Sequence, residues 1–169
     1  MNELNNSEIT PILRLVNKIQ YDNNTPDENY IIKQPDELLK IKKGICYDIV
    51  ELERTLFTKK NISFKTYFSY VLLDLFESPT HTYLIFEKDK LYYWFESSWF
   101  EMRGIHGPYY SYLNAVSHVE DRLLNKSHWT KVKTIEYQKF NYTGLNIPEF
   151  AKAIYKQNNI SIESFYNQW

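Results

Sequence analysis

The sequence of 169 residues contains a single cysteine, Cys46, so no intrachain disulfide framework can hold it together. Twenty Lys and Arg against 21 Asp and Glu leave a net charge of -1. No stretch concentrates the positive charge into a stripe, so the electrostatic footprint of a nucleic-acid partner is missing. No apolar run near the start resembles a signal peptide or a bilayer span, which predicts a cytoplasmic protein without a membrane partner. Neither GxGxxG nor GxxxxGK[ST] occurs, so no nucleotide cofactor is suggested. The four histidines, His81, His106, His118 and His128, stand 25, 12 and 10 residues apart. None joins another His or Cys in a compact ligand spacing, and no metal is expected.

What is present is an ordinary globular composition, 43% hydrophobic and 24% charged, with an aromatic share of 17%. A chain of this length can bury about two thirds of the surface it exposes when unfolded. One domain over residues 1–169 is the expectation. Mixed charges in "LERTLFTKK" and "FEKDK" read as solvated surface, and the composition leaves the oligomeric state open.

Along the chain, "SEITPILRLVNKIQ" puts Ile9, Leu13 and Val16 on one helical stripe. "QPDELLKIKK" has Pro35 at a first helical position, acids in the first turn and lysines in the last, with Gly44 ending the helix. From Ile45 a helix of about three turns aligns Ile45, Ile49, Leu52 and Leu56 on one face. "NISFKTYFSYVLLD" reads as a strand, and "LFESPT" breaks it. "HTYLIFE" and "LYYWFES" around "KDK" read as a hairpin. "RGIHGPYY" reads as a loop, "SYLNAVSHVEDRLLNK" as a helix, "TKVKTIEYQKF" as a strand and "IPEFAKAIYKQ" as a helix, with "SIESFYNQW" packing back onto the body. The class is α+β, helices first and then a mainly antiparallel sheet carrying more helices.

A two-residue hairpin loop at Lys88 and Asp89 would set Glu87 against Lys90 and His81 against Glu96. Opposed residues on an antiparallel pair have Cβ atoms about 5 Å apart, the reach a carboxylate needs to orient an imidazole. The alternation assigns Thr82, Leu84, Phe86, Leu91, Tyr93 and Phe95 to one face, and His81, Tyr83, Tyr92, Trp94 and Glu96 to the other. Cys46 lies at most two residues into its helix, where unpaired N–H groups favour a thiolate and could receive charge developing on an attacked carbonyl oxygen. A helix-start cysteine, a histidine and an orienting carboxylate are the parts of a cysteine acyl-transfer site. Periodicity alone does not bring Cys46 to the other two. Taken singly, Cys46 reads equally as a buried small hydrophobe, His81 as structural and Glu96 as a surface carboxylate.

"GICYDIVELERTLF" followed by "PTHTYLIFEKDKLYYWFESSW" resembles the transglutaminase-like superfamily of papain-like cysteine enzymes, in particular its small bacterial members. The likeness covers roughly residues 34–108. It implies a papain-like core with the nucleophile at a helix N-terminus packed on an antiparallel sheet. It makes Cys46 the nucleophile, His81 the general base and acid, and Glu96 the orienter, where the superfamily usually has Asp. By analogy with papain-like enzymes Gln34 becomes the candidate side chain of the oxyanion hole, with Tyr30 behind it.

The implied reaction is attack of Cys46 on an amide or peptide carbonyl of a peptide or protein substrate, through a thioester resolved by water or an amine. Trp94, Trp99, Tyr92 and the "RGIHGPYY" loop are candidate walls of an acyl cleft, and Arg103 a candidate contact for an acidic substrate group. Each has a plainer reading, as core or rim for the aromatics and as a solvated or salt-bridged side chain for Arg103. The alternative function is a catalytically silent module that binds peptide or protein in the same cleft.

Overall fold

The computed structural model describes residues 8–24, 29–71, 80–125, 131–138 and 141–161. Helix α1 (Ile9–Val16) buries Ile9, Ile12 and Val16. Strand β1 (Gln20–Tyr21) pairs in parallel with β2 (Lys43–Gly44), and between them lies α2 (Pro35–Ile41), with Pro35 at its first turn as expected. The helix stops before Gly44, at Lys42 two residues earlier, which adopts the left-handed conformation (φ 56°) as its C-cap. Gly44 is needed for a different reason. A Cβ there would lie 2.7 Å from Leu38 Cδ1 and 2.8 Å from Asp48 Oδ2, so any larger residue would have to displace the Leu38 side chain and the Asp48 carboxylate.

That next helix, α3 (Cys46–Lys59), runs for 14 residues, four turns rather than three. It lies against a five-stranded sheet of order β6-β5-β4-β3-β7, in which β3 (Phe64–Val71), β4 (Thr80–Lys88), β5 (Leu91–Glu96), β6 (Gly104–Tyr109) and β7 (Val132–Tyr137) pair antiparallel throughout. Helices α1, α2 and α3 cover one face with the inner residues Leu84, Phe86, Tyr93 and Phe95, and α5 (Ile147–Gln157) closes the same face further along against Phe68, Tyr70 and Tyr137. Helix α4 (Tyr112–Leu124) covers the other face, packing Ala115, Val116 and Val119 on Tyr83, Ile85 and Trp94. Phe57 pins α3 to the sheet, its ring 5.9, 5.5 and 5.1 Å from those of Phe64, Phe86 and Phe95. Truncating so buried a ring costs about 3–5 kcal/mol.

The predicted faces of the hairpin hold, but its register does not. The turn residues are Asp89 and Lys90, both at positive φ, and the ladder pairs Leu84 with Phe95 and Glu87 with Tyr92. The pairing is therefore displaced by two residues from the expected one. A displacement of two leaves every side chain on its face, so the hydrophobic pattern could not detect it. "RGIHGPYY" is not a loop either, since most of it forms β6. Its glycines and proline are tolerated because it is an edge strand, with a register irregularity between Tyr92 and Trp94. The "LFESPT" and "SIESFYNQW" readings lie mostly or wholly outside the described residues. Among the described residues no helix is long and apolar enough to cross a membrane.

Candidate active site

Cys46 is the first residue of α3, after an extended N-cap, Ile45, that supplies no side-chain bond. Asp48 orders the turn below it. One carboxylate oxygen accepts the Ile45 N–H (2.9 Å), and the other the Lys33 N–H (2.8 Å). The Tyr30 hydroxyl also donates to it. The helix start is thereby tied to the segment before α2, and Tyr30 is committed to Asp48. Cys46 is only 4% exposed.

Two links bring the first residue of α3 to the start of β4. Tyr47, which follows Cys46, shares a 2.7 Å hydrogen bond with Thr80, which precedes His81. The His81 imidazole itself lies close enough to the Cys46 side chain to interact with it. Its Nε2 lies 2.8 Å from Glu96 Oε2, which leaves Nδ1 for the sulfur. His81 is 8% exposed, with the Tyr83 ring stacked at 5.7 Å and the Trp99 ring edge-on at 5.9 Å.

In the observed register Glu96 falls diagonal to His81 rather than opposite it. Diagonal neighbours stand about 7–8 Å apart at the backbone, and the additional methylene of glutamate over aspartate serves that longer reach. The carboxylate is then fixed from behind. Its Oε1 accepts the Ser98 N–H (2.8 Å), the Ser98 hydroxyl (2.9 Å) and the Trp99 N–H (2.8 Å). Burial opposes ionisation of Glu96, but the His81 charge and these donors outweigh it and hold its carboxyl below the usual range. Burial is also the largest influence on His81, favouring the neutral ring. The Glu96 charge and bond, with Cys46 beside the ring, overcome it and push His81 up to about 10.

A further acid stands behind this group. Glu53, seven residues after Cys46 on α3, is buried, and its Oε1 accepts the Ser97 hydroxyl. Burial pushes its carboxyl well above the usual range, and the Glu96 charge adds to that against the opposing Ser97 bond. A heptad step from Cys46 puts both residues on one helix face, a signal the sequence carried and the apolar stripe hid.

The other expected site residues are scattered. Trp99 touches His81 and bonds Glu101 Oε2 through its indole N–H (2.8 Å). Trp94 is a core residue with no exposure, set against the His106 ring at 4.5 Å, so it walls no cleft. Tyr92 packs on Tyr112 at 4.4 Å, four residues down β5 from Glu96 and about 13 Å away along the strand. Arg103 is a strap: its Nε donates to Ser97 O (2.7 Å) and its Nη2 to Ile19 O (3.3 Å). Gln34 lines a cavity of about 480 Å³ with Glu51, Arg54, Thr55, Thr58 and Lys59, along later turns of α3. Tyr21, which no sequence motif singled out, lies close enough to Cys46 to interact with both its side chain and its backbone. Among the described residues no three His, Cys, Asp or Glu side chains gather closely enough to hold a metal ion.

A helix-start cysteine against an antiparallel sheet, with a histidine on the adjoining strand, defines the class as the papain-like α+β architecture. A family model described as a transglutaminase-like domain matches residues 2–99, and the chain belongs to that family. The match includes α3, β4 and β5 and stops before β6, α4, β7 and α5. No curated protein matches the chain.

Proposed function

We propose that the protein is a cysteine-dependent acyltransferase or hydrolase acting on an amide bond of a peptide or protein. Cys46 is the nucleophile, His81 the general acid and base, and Glu96 the residue that orients His81. The observation that carries this reading is the placement of His81, held by Glu96 at 2.8 Å on one side and set beside Cys46 on the other. The working form pairs a thiolate with an imidazolium. The sulfur adds to the carbonyl carbon, the C–N bond breaks as His81 gives its proton to the departing nitrogen, and a thioester remains. His81, now neutral, takes a proton from water or from an amine as that nucleophile adds to the thioester, and Cys46 leaves as the thiolate. Water completes hydrolysis, and an amine completes transfer.

The low exposure of Cys46 favours one other reading, a silent module that binds peptide through the same surface. Alkylation by iodoacetamide, followed by intact mass across pH, separates the two. The single thiol makes the signal unambiguous. The enzyme reading expects ready alkylation at neutral pH that slows at least about tenfold in His81→Ala. Slow alkylation at the same rate in both proteins would sink it.

A further inference from the structure

The two-residue parallel pairing of β1 with β2 is too small to stabilise much by itself, but it positions one side chain at the nucleophile. Tyr21 pairs with Gly44, two residues before Cys46. The strand is held on both sides of Tyr21, by Gln20 N–H to Lys42 O (2.8 Å) and Asp22 N–H to Gly44 O (2.8 Å). The Asp22 carboxylate meets Lys43 Nζ at 3.2 Å. Just upstream, Ile19 O accepts from Arg103, whose other bond fixes Ser97 beside Glu96. The segment is therefore referenced both to the start of α3 and to the loop that anchors the orienting carboxylate. The Tyr21 ring packs against the two buried clusters that meet there, one of which contains Cys46.

We propose that Tyr21 is the side-chain donor of the oxyanion site, its hydroxyl acting with the Cys46 N–H on the charge that develops at the attacked carbonyl oxygen. This rests on the reading of Cys46 as nucleophile. In the resting state the phenol lies beside both the sulfur and the N–H of Cys46. When sulfur adds to a carbonyl carbon, the S–C bond forms and the carbonyl π pair moves to oxygen, so the negative charge leaves sulfur for an atom two bonds away. The Tyr21 O–H then turns from sulfur, a poor acceptor once alkylated, to the new oxyanion, and the Cys46 N–H donates to the same oxygen. When the intermediate collapses, the pair returns to rebuild the carbonyl and the hydroxyl turns back. No proton is transferred from Tyr21 at any point. The Cys46 charge, then burial, hold the phenol protonated far above the usual tyrosine range, which keeps it a donor. Gln34 does not fill this place. The cavity it lines includes Thr55, Thr58 and Lys59, and Thr55 lies nine residues past Cys46, roughly 13 Å along the helix.

Two reagents separate the oxyanion role from support of the thiolate. Acylation of Cys46 by p-nitrophenyl acetate passes through a tetrahedral oxyanion, and alkylation by iodoacetamide does not. Both are followed by intact mass on the pH plateau of alkylation, below the melting temperature of each protein. In Tyr21→Phe, which keeps the packed ring, acylation should fall about 100-fold while alkylation stays within about threefold of wild type. If Tyr21→Phe melts below the assay temperature, Tyr21→His carries the same comparison and should show an intermediate loss of acylation. Equal losses with both reagents would overturn the proposal, since Tyr21 would then serve the sulfur alone. Unchanged or faster acylation would overturn it as well, making the hydroxyl a cover over the nucleophile. Failure of the underlying reading looks different: a wild-type Cys46 that neither reagent modifies removes the nucleophile, and Tyr21's role with it, before any variant is made.

Discussion

Glu96 and Glu53 are both buried, are linked through neighbouring serines, and have their carboxyls pushed in opposite directions. Glu96 receives donors from His81, from Ser98 twice and from the Trp99 N–H, and it is held ionised. Glu53 receives the Ser97 hydroxyl on Oε1, and its Oε2 has no hydrogen-bond partner among the described residues. Burial prevails there and pushes the acid toward its protonated form. The number of donors, at similar depth, decides which carboxyl can orient a histidine.

The largest effect that would break this comparison is Glu96→Ala. It strips a buried imidazole of its partner and leaves the Ser98 and Trp99 donors empty. A loss of about 3–5 kcal/mol is expected in chemical denaturation, together with the loss of rapid Cys46 alkylation. Full stability with unchanged alkylation would mean that the pair does not organise the site.

The pH dependence of stability follows next in size. His81 is raised from 6.5 to about 10, so the folded chain keeps a proton that the unfolded chain has already released. Its contribution is complete below about pH 6.5 and is lost as pH rises toward 10. Glu96 is lowered from 4.5, so its contribution is complete above that value and is lost as pH falls through its folded-state pKa. Denaturation midpoints of wild type should therefore decline on both sides of the interval from 4.5 to 6.5. Glu96→Gln should flatten both limbs, and a curve as steep as wild type would contradict the assignment.

Glu53→Gln sharpens the same contrast with a smaller effect of opposite sign. The raised acid binds a proton in the folded state above 4.5 that the unfolded chain lacks, so wild type loses stability as pH rises through that window. The amide removes this loss. Relative to wild type the variant should gain stability steadily as pH rises above 4.5. A variant uniformly weaker at every pH would show that Glu53 is ionised or that its hydroxyl contact dominates. Smallest of all is Lys65→Ala, which removes an exposed 2.8 Å pair with Glu136. A change within about 0.5 kcal/mol is expected, and a larger one would indicate that its position over the Tyr112 ring matters more than the charge.

What could be read from the sequence was whatever obeyed a period. Helical spacing gave α3 and the place of Cys46 at its start, and strict alternation gave the hairpin faces and the same-face relation of His81 to Glu96. The register escaped because a two-residue displacement preserves that alternation, and neither possible "KDK" turn contains Gly or Asn to mark it. β6 escaped because glycine and proline punctuate loops and edge strands alike. Tyr21 escaped because two residues carry no period, and its partner in the sheet lies 23 positions away. Gln34 came from analogy, not from placement, and the turns of α3 it faces are not those of Cys46.

The outer rims of the sheet bear on how the protein behaves when crowded. Strand β6 carries Pro108 next to its last residue, with no N–H to offer a further strand, and its glycines depart from flat extended geometry. At the opposite rim, Asn158 from the end of α5 donates to Glu136 O of β7 at 3.0 Å, and Arg54 donates to Gln138 O at 2.6 Å. A row of bare donors and acceptors is what lets one sheet template its own extension. With one rim interrupted and the other engaged at one carbonyl of β7 and at the residue just past it, both rims of the aromatic-rich ribbon offer an incomplete template to a like strand.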